Sequence, residues 1–305
     1  MNELDQIRQN IKTLPRGLRT RFAPSPTGHL HLGHTLSAIF TWGIAEAVGA
    51  KVLLRIEDHD VGRCRQEHVE SIIDDLQWLG FSNSPATEPS RLGYELQSHS
   101  FPDFALHAER LKDQSYYCHC SRKKILNTHP NAFEGGELCY PNTCRLLELK
   151  KTNETGLRLI LPEESISFSD LCLGPQEQLP QRQCGDILLQ DRHGYWTYQY
   201  AVSVDDWTQG IDLVIRGQDL LSSTGRQIQL GNILGRPKPA EFLHHPLIVD
   251  ESGKKLSKRD RASGIKDLRD QGYSPTEVLK KAWKKVPGAK ADDISTNQNF
   301  GQLFI

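Results

Sequence analysis

The order of predicted elements along the chain indicates an α/β fold with a parallel sheet. Strand-like sequence at residues 18–22 and 51–56 alternates with helical spacing of apolar residues from Leu32 onward and over residues 66–79. This β–α–β–α order predicts parallel strands with helices on the faces of the sheet. Residues from about 95 to 190 then break the rhythm with irregular, polar sequence that contains several cysteines.

The turn after the first predicted strand contains two prolines and a glycine, which exclude regular structure until a helix begins at Leu32. His31 and His34 are therefore expected at a helix N-terminus. Free N–H groups and the helix dipole favour anions there, and imidazoles can donate to phosphate oxygens. Gly33 leaves room for a nucleotide against the backbone. An isolated His-x-x-His pair would more often cap an ordinary helix, but the PSPTG sequence directly before it favours a nucleotide site.

The second candidate segment is GKKLSKR at residues 253–259, where a glycine precedes three lysines and an arginine. A glycine-hinged lysine loop suits the stabilisation of charge on a transferring phosphate. Alone, such a charge run would be interpreted as a solvated loop. Together with the first segment, it predicts the second half of an ATP site.

In this combination and order, the two segments resemble the ATP-handling signatures of the class I aminoacyl-tRNA synthetases. HLGH at residues 31–34 corresponds to the family's His-Ile-Gly-His signature. KLSKR at residues 255–259 corresponds to its Lys-Met-Ser-Lys-Ser signature, with leucine and arginine replacing two members. Further matches resemble the glutamate branch of the family: IED at 56–58, YQYAV at 198–202, VDD at 204–206 and IRGQDL at 215–220.

The resemblance implies that the chain activates glutamate, whose carboxylate attacks the α-phosphate of ATP to give glutamyl-adenylate and pyrophosphate. Arginine suits the carboxylates of glutamate because its planar fork donates two hydrogen bonds, and an acid is needed for the ammonium group. The implied glutamate-binding residues are Arg21, Ala23, Ser25, Glu57, Tyr198 and Arg216. The implied ATP-binding residues, with Mg²⁺ accompanying ATP, are His31, Gly33, His34, Lys255, Ser257 and Lys258. Those expected to be catalytic are His31, His34 and Lys258.

The family also implies a domain organisation. Residues 16–94 and 191–250 would form the two halves of a Rossmann-like catalytic core, separated at residues 95–190 by a zinc-containing α+β insertion that contacts the acceptor end of tRNA. Residues 251–305 would hold the lysine loop and a short helical stem-contact region, without an anticodon-binding domain. Within that region, SPTE at residues 274–277 is typical of a helix start, and the polar sequence after this helix is expected to be frayed.

The cysteines of the insertion form two close pairs, CHC at residues 118–120 and CYPNTC at residues 139–144. This arrangement predicts a structural zinc site, and coordination chemistry alone would select Cys118, Cys120, Cys139 and Cys144. Similarity of the YPNTCR sequence to the glutamyl-queuosine tRNA(Asp) synthetases implies Tyr140 in place of Cys139. The alternative is a group of free thiols.

The acceptor is expected to be the cyclopentene-diol of queuosine at the wobble position of tRNA(Asp), as in the short, zinc-containing relatives, because only about fifty residues follow Lys258. Three other hypotheses stay open: a minimal glutamyl-tRNA synthetase that charges a tRNA 3′ end, a nucleotidyltransferase of the same superfamily, and a catalytically inactive binding protein.

Composition limits the remaining possibilities. No apolar run approaches the roughly 20 residues of a membrane span, and the polar N-terminus lacks a signal-peptide core, so we expect a cytoplasmic protein without a membrane partner. No heptad repeat is evident, so a monomer is expected. The net charge is −1, but residues 254–290 carry twelve Lys or Arg against four Asp or Glu. Such a local excess of positive charge suits contact with a phosphate backbone, or simply a solvated helical segment.

Overall fold

Strands and helices alternate over residues 3–128, and five successive strands follow between residues 133 and 178. The computed structural model describes residues 2–82, 92–129, 133–134, 137–248, 264–295 and 299–305. Its strands are β1 (Arg19–Phe22), β2 (Lys51–Ile56), β3 (Glu95–Leu96), β4 (Ser115–Cys118), β5 (Phe133–Glu134), β6 (Glu137–Leu138), β7 (Gly156–Leu159), β8 (Ile166–Asp170), β9 (Gly174–Gln178), β10 (Ile187–Gln190), β11 (Leu213–Gly217) and β12 (Glu241–His245). Its α-helices are α1 (Glu3–Asn10), α2 (Leu32–Val48), α3 (Gln66–Trp78), α4 (Phe101–Arg110), α5 (Arg122–Thr128), α6 (Pro180–Cys184), α7 (Tyr198–Thr208), α8 (Thr224–Leu234), α9 (Ile265–Asp270) and α10 (Pro275–Trp283).

The predicted parallel sheet is confirmed and forms the centre of the protein. Its strand order is β3-β2-β1-β11-β12-β8-β9, and all neighbours run parallel except β8 and β9 at one edge. β1 pairs with β2 over its whole length, with Arg21 opposite Leu53, and β11 then pairs with β12, with Arg216 opposite His244. The carboxyl ends of β1, β2, β11 and β12 consequently meet at one edge, where ligands bind in sheets of this kind.

Helix α2 follows β1 and presents its first turn at that edge. It begins at Leu32, as predicted, and ends at Gly49, whose φ of 70° is a left-handed conformation that glycine adopts without strain. Most of its side chains are buried, because the helix packs against β1, β11, α10 and the C-terminal segment. A helix that is apolar all round needs such neighbours on every side.

The irregular stretch expected to form the insertion contributes strands to three sheets. β4, β7 and β10 form a separate antiparallel sheet in the order β10-β7-β4, and β5 and β6 form a short hairpin. A buried cluster that includes Phe104, Leu159 and Tyr200 joins this part to α7 and α8. In contrast, β8 and β9 extend the main sheet, where Asp170 at the end of β8 lies opposite Phe242 of β12.

The C-terminal segment differs from the frayed end expected from its polar sequence. The capping box at Ser274 and the apolar face of α10 form as predicted. Beyond them, however, Phe300–Leu303 forms a 3₁₀ turn, and the side chain of Phe304 is completely buried beside Phe40 of α2. Gly43 of α2 makes this approach possible, because an added Cβ would collide with the Phe304 ring. The burial of a few aromatic side chains therefore orders this segment, although the surrounding residues are polar.

No helix in the described ranges has the length and apolar character needed to cross a membrane.

Candidate active site and metal centre

A cavity of about 410 Å³ opens at the carboxyl ends of β1, β2 and β11, beside the first turn of α2. Eight of the residues that the sequence analysis assigned to glutamate or ATP line it together: Arg21, Ala23, His31, Gly33, His34, Glu57, Tyr198 and Arg216. Ser25, which was expected to bind glutamate, is not among the lining residues.

Arg21 is held in the cavity wall by a buried ion pair with Asp206. Its Nε lies 3.1 Å from Asp206 Oδ1, and its Nη1 donates to the backbone carbonyl of Ile215 at 3.3 Å. Asp206 also accepts from Nη1 of Arg55 at 2.9 Å. Although burial opposes its ionisation, the charges of Arg21 and Arg55 lower the pKa of Asp206 below its ordinary value. Asp206 therefore carries the negative charge that fixes two arginines.

Arg55 also positions the carboxylate of Glu57. The Arg55 side chain is fully buried, and its Nη2 lies 3.1 Å from Oε1 of Glu57. Burial works against the charge of Arg55, but the carboxylates of Asp206, Glu57 and Asp205 raise its pKa above the ordinary value. The carboxylate of Glu57 is thereby fixed at the cavity wall, where it can accept from an ammonium group.

Arg216, on β11, brings a buried positive charge into the same cavity. Its donors reach three neutral acceptors: Nε lies 3.1 Å from His244 Nε2, Nη1 lies 2.6 Å from Gln227 Oε1, and Nη2 lies 2.8 Å from Thr224 Oγ1. Burial lowers its pKa. Within the described part of the chain, no carboxylate forms an ion pair with Arg216. A buried and uncompensated guanidinium favours the binding of an anion.

Tyr198 begins α7 and lines the cavity with a half-buried side chain. Burial raises the pKa of its phenol, so the hydroxyl stays protonated near neutral pH and can act as a donor. Ala23, which follows β1 closely, contributes a small apolar surface to the same wall.

The two histidines close the first turn of α2 in a reciprocal arrangement. His31 is the N-cap, and its Nδ1 accepts from the N–H of Gly33 at 3.0 Å. The backbone N–H of His31 in turn donates to Nδ1 of His34 at 3.2 Å. When both Nδ1 atoms accept, each neutral ring carries its proton on Nε2, which can donate to a phosphate oxygen. An added Cβ at Gly33 would lie 2.8 Å from Cε1 of His31, so this geometry requires glycine.

Lys255, Ser257 and Lys258 of the expected ATP site lie outside the described residues. The chain on either side of them is at the cavity. Ile248 lines it, and Gly264 forms a β-bridge with His31. The described residues on either side of 249–263 thus lie at the cavity and beside His31.

Away from this cavity, three cysteine side chains and a tyrosine hydroxyl converge in the insertion. The sulfur atoms of Cys118, Cys120 and Cys144 lie within 4.8 Å of one another, and those of Cys120 and Cys144 are 3.5 Å apart. The hydroxyl of Tyr140 lies 3.3 Å from the sulfur of Cys118. The thiol of Cys139 lies apart from this group and donates to the backbone carbonyl of Arg182 at 3.4 Å. The structure therefore gathers the set that contains Tyr140 and leaves Cys139 outside it.

The spacing of this cluster fits a zinc ion. Zn–S bonds of about 2.3 Å in a tetrahedron place sulfur atoms roughly 3.8 Å apart, close to the spacing seen here. The N–H of Cys144 donates to the Tyr140 oxygen at 2.9 Å, and the guanidinium of Arg158 lies 3.6 Å from the centre of the Tyr140 ring. Burial raises the pKa of the Tyr140 phenol, and the N–H group of Cys144 partly offsets this effect.

Tyr140 is positioned by residues that the sequence analysis did not single out. Gly185 has a φ of 66°, and any Cβ there would collide with the carbonyl of Tyr140. Asn142 accepts from the N–H of Asp186 at 2.8 Å. The buried carboxylate of Asp186 in turn accepts from Arg145 Nε at 2.7 Å. The asparagine and arginine lie within the YPNTCR sequence itself, which was the one available signal.

Around the main cavity, sequence reasoning missed Arg55, Asp206 and His244. Asp206 lies within the VDD match, and Arg55 directly precedes the IED match, but neither position suggested a role. Their functions depend on pairing between residues about 150 positions apart, such as Arg55 and Asp206. The only local indication was the charge of Arg55, whose neighbours in β2 are apolar.

Comparison with known proteins gives consistent results. The family model described as "tRNA synthetases class I (E and Q), catalytic domain" matches residues 17–299. A Glutamyl-Q tRNA(Asp) synthetase of Nitratidesulfovibrio vulgaris is 39% identical over 86% of this chain and 84% of its own length. A glutamate–tRNA ligase of Geobacter sulfurreducens is 36% identical over 86% of this chain, which spans 55% of that protein.

Among solved structures, a glutamate tRNA ligase of Elizabethkingia meningosepticum in complex with its amino acid superimposes with a TM-score of 0.73 at 25% identity. That match covers 95% of this chain and 64% of the ligase. The sheet, the cavity at its carboxyl edge and these matches establish the class I catalytic fold. The chain belongs to the class I tRNA synthetase family of the E and Q type.

Proposed function

We propose that this protein activates L-glutamate with ATP and transfers the glutamyl group to the cyclopentene-diol of queuosine in tRNA(Asp). The observation that carries the proposal is the buried guanidinium of Arg216, whose acceptors among the described residues are all neutral and which lies in one cavity with Arg21 and Glu57. Two arginines and one carboxylate complement a small molecule with two carboxylates and one ammonium group.

In the activation step, the protein positions reactants rather than forming a covalent bond with them. Arg21 and Arg216 hold the carboxylates of glutamate, Glu57 accepts from its ammonium group, and Tyr198 donates a further hydrogen bond. A carboxylate oxygen of glutamate forms a bond with the α-phosphorus of ATP while the bond to pyrophosphate breaks. Alignment of the two substrates supplies most of the rate acceleration in such reactions.

The first turn of α2 would bind the phosphates of ATP. The Nε2–H groups of His31 and His34 give donors at the positive end of the helix dipole. Ser257 and the lysines Lys255 and Lys258 would contact ATP as well. Mg²⁺ bound with ATP would supply further charge neutralisation.

In the insertion, Cys118, Cys120, Cys144 and Tyr140 would hold one structural zinc ion. Thiolates and a phenolate bind a divalent cation tightly, and the ion would organise a loop region that otherwise rests on a small buried cluster. We assign the ion no role in the chemical steps. The insertion at residues 95–190, placed between core segments 16–94 and 191–250, would carry tRNA contacts beside the active site.

The choice of acceptor rests on the extent of the similarity. The chain matches 84% of the Glutamyl-Q tRNA(Asp) synthetase but 55% of the glutamate–tRNA ligase. A modified base in an anticodon loop is a suitable acceptor, because loop bases unstack readily and can enter a protein cavity. A hydroxyl of the cyclopentene-diol would attack the carbonyl of the adenylate and release AMP.

The test is ATP-dependent transfer of labelled glutamate to two pools of bulk tRNA, one from cells that make queuosine and one from cells that do not. The proposal expects label in the first pool alone. Arg216→Ala should abolish labelling, while Arg110→Ala, which changes an exposed arginine on α4, should not. Equal labelling of both pools would show charging at the 3′ end and overturn the proposed acceptor.

Glutamate-dependent exchange of pyrophosphate into ATP, measured without tRNA, tests the activation step separately. The proposal expects exchange, because residues of the protein itself line the cavity in which glutamate and ATP would bind. An absence of exchange together with unchanged glutamate binding would favour an inactive binding protein. A nucleotidyltransferase has no need for a cavity with two arginines and a carboxylate. An exchange rate that is the same with and without glutamate would point to that alternative.

A further inference from the structure

His244 of β12 lies between an acid and the arginine that faces the cavity. Its Nδ1 lies 2.6 Å from Oδ2 of Asp170, at the end of β8, and its Nε2 lies 3.1 Å from Nε of Arg216. His244 is completely buried, and Asp170 and Arg216 are 1% and 4% exposed. Water therefore cannot substitute for any of the three side chains, and each depends on the next for its hydrogen bonds.

The contacts of Asp170 determine which nitrogen of His244 carries the proton. The carboxylate accepts from the N–H groups of Cys172 at 2.9 Å, Leu173 at 3.0 Å and His244 at 3.1 Å. Because Asp170 accepts in these three contacts, its fourth contact is one in which Nδ1 of His244 donates. The Nε–H of Arg216 can only donate, so Nε2 of His244 accepts and carries no proton. Burial, which lowers the pKa of His244, acts in the same direction. Only this tautomer can accept from Arg216.

The remaining contacts of Arg216 also have one allowed direction. Gln227 Nε2 donates to Gln199 Oε1 at 2.8 Å, so the amide oxygen of Gln227 is turned toward Arg216. Thr224 Oγ1 accepts from Arg216 and lies 3.0 Å from His244 Nε2. Strands β8 and β12 and helix α8 therefore supply acceptors that leave one orientation for the guanidinium. Pre-organised charge of this kind increases affinity because binding fixes no further torsions.

We propose that Asp170 and His244 are positioning residues that fix the direction of Arg216 and thereby set the affinity of the cavity for glutamate. The inference rests on the proposed function, in which Arg216 holds a substrate carboxylate. It assigns no contact with substrate to His244 or Asp170. It also separates His244 from its neighbour His245, which lines the cavity itself.

Two substitutions of His244 give opposite expectations. In His244→Gln, the side-chain oxygen can reach the position of Nε2 and accept from Arg216. In His244→Leu, the volume is similar but the acceptor is lost. We expect His244→Leu to raise the KM for glutamate about tenfold or more while the KM for ATP changes less than about twofold, and His244→Gln to restore most of the affinity.

Asp170→Asn tests the tautomer. An amide N–H group facing Nδ1 would make that nitrogen an acceptor and move the proton to Nε2, opposite the donor of Arg216. We expect the KM for glutamate to rise as in His244→Leu. The matched control is His107, a buried histidine of α4 that does not line the cavity, substituted in the same two ways. His107→Leu and His107→Gln should leave both KM values unchanged.

The measurements are pyrophosphate-exchange kinetics, direct glutamate binding by calorimetry and thermal unfolding of every variant. Equal loss of stability in His244→Leu and His244→Gln with wild-type KM values would show a structural role only and overturn the inference. A wild-type protein that binds ATP but not glutamate would overturn the proposed function and this inference together. Wild-type activity with unaltered KM in all three variants would overturn the inference alone.

Discussion

Arg55 Nη2 and Glu57 Oε1 are 3.1 Å apart, because Arg55 near the end of β2 and Glu57 directly after the strand face the same side of the sheet. Residues i and i+2 of a strand face the same side of the sheet, which puts the arginine directly behind the carboxylate. The fully buried guanidinium of Arg55 thus positions the carboxylate that is proposed to bind the ammonium group of glutamate. Its Nη1 atom donates to Asp206.

We expect Arg55→Met to be strongly destabilising. Removing the guanidinium leaves the carboxylates of Glu57, Asp205 and Asp206 buried without their partner, which costs about 3–5 kcal/mol in comparable cases. Urea denaturation measures the free energy of unfolding. Arg63→Met, which breaks an ion pair whose arginine is largely exposed, serves as the control and should change stability by less than about 1 kcal/mol. Equal effects of the two substitutions would contradict the assigned role of Arg55.

A second prediction separates the two candidate zinc ligands. Tyr140→Phe should reduce the zinc retained after purification and lower the melting temperature, because the phenolic oxygen lies among the sulfur atoms. Cys139→Ser should leave both unchanged, because its thiol contacts the carbonyl of Arg182 instead. Zinc content per chain and melting temperature with and without a chelator are the measurements. Loss of zinc in Cys139→Ser with retention in Tyr140→Phe would reverse the assignment.

Asp75 provides a prediction about pH. Its carboxyl is 3% exposed, its Oδ2 has no hydrogen-bond partner among the described residues, and burial raises its pKa to about 6. Because the folded protein holds this proton more tightly than the unfolded chain, stability attributable to Asp75 falls as the pH rises from about 4 to about 6. Asp75→Asn should therefore stabilise the protein at pH 7.5, with a smaller gain at pH 5.

The size of that effect can be bounded. Arg269 and Lys266 partly offset the burial of Asp75, whereas Asp74 and Asp270 add to its unfavourable charge. We expect a gain of roughly 1–3 kcal/mol at pH 7.5, measured by urea denaturation at both pH values. Asp74→Asn, at the exposed neighbouring position, should show no comparable pH dependence. A gain that stays constant between pH 5 and pH 7.5 would exclude titration of Asp75 as the cause.

Gly43→Ala should destabilise the packing of the C-terminal segment on α2. Alanine has a higher helix propensity than glycine, so propensity alone predicts that the substitution stabilises the protein by up to about 1 kcal/mol. Here, however, a Cβ would collide with the Phe304 ring and lie 2.9 Å from the carbonyl oxygen of Phe300. Overpacking typically costs 1–3 kcal/mol, so we expect a net loss. The double variant Gly43→Ala with Phe304→Ala should recover part of that loss in thermal unfolding.

The sequence predicted those parts of the fold that have a local cause. Periodicity and breaking residues located α2 from its first residue, and the apolar run at residues 51–56 is β2. Arg21, Glu57 and Arg216 were singled out because each belongs to a short segment that resembles a motif of the family, and all three line the cavity. The capping box at Ser274 likewise depends on four neighbouring residues.

What could not be predicted depends on contacts between distant residues. Nothing near His244 in the sequence indicates that it pairs with Asp170 and Arg216, because strand order brings them together. Ser25 belongs to the first motif but is not among the residues that line the cavity. The burial of Phe304 was missed because composition near the chain end is polar, whereas packing depends on a few large side chains and on the absence of one at Gly43.

The buried Phe304 has a further consequence for heating. The ring rests on the same helix whose first turn carries His31 and His34, and α2 is surrounded on all sides by other elements. Release of the C-terminal segment would expose an apolar face in the middle of the protein, so it requires simultaneous disruption of the sheet's covering layer. Unfolding of the C-terminal residues and loss of the cavity should therefore occur in one cooperative transition.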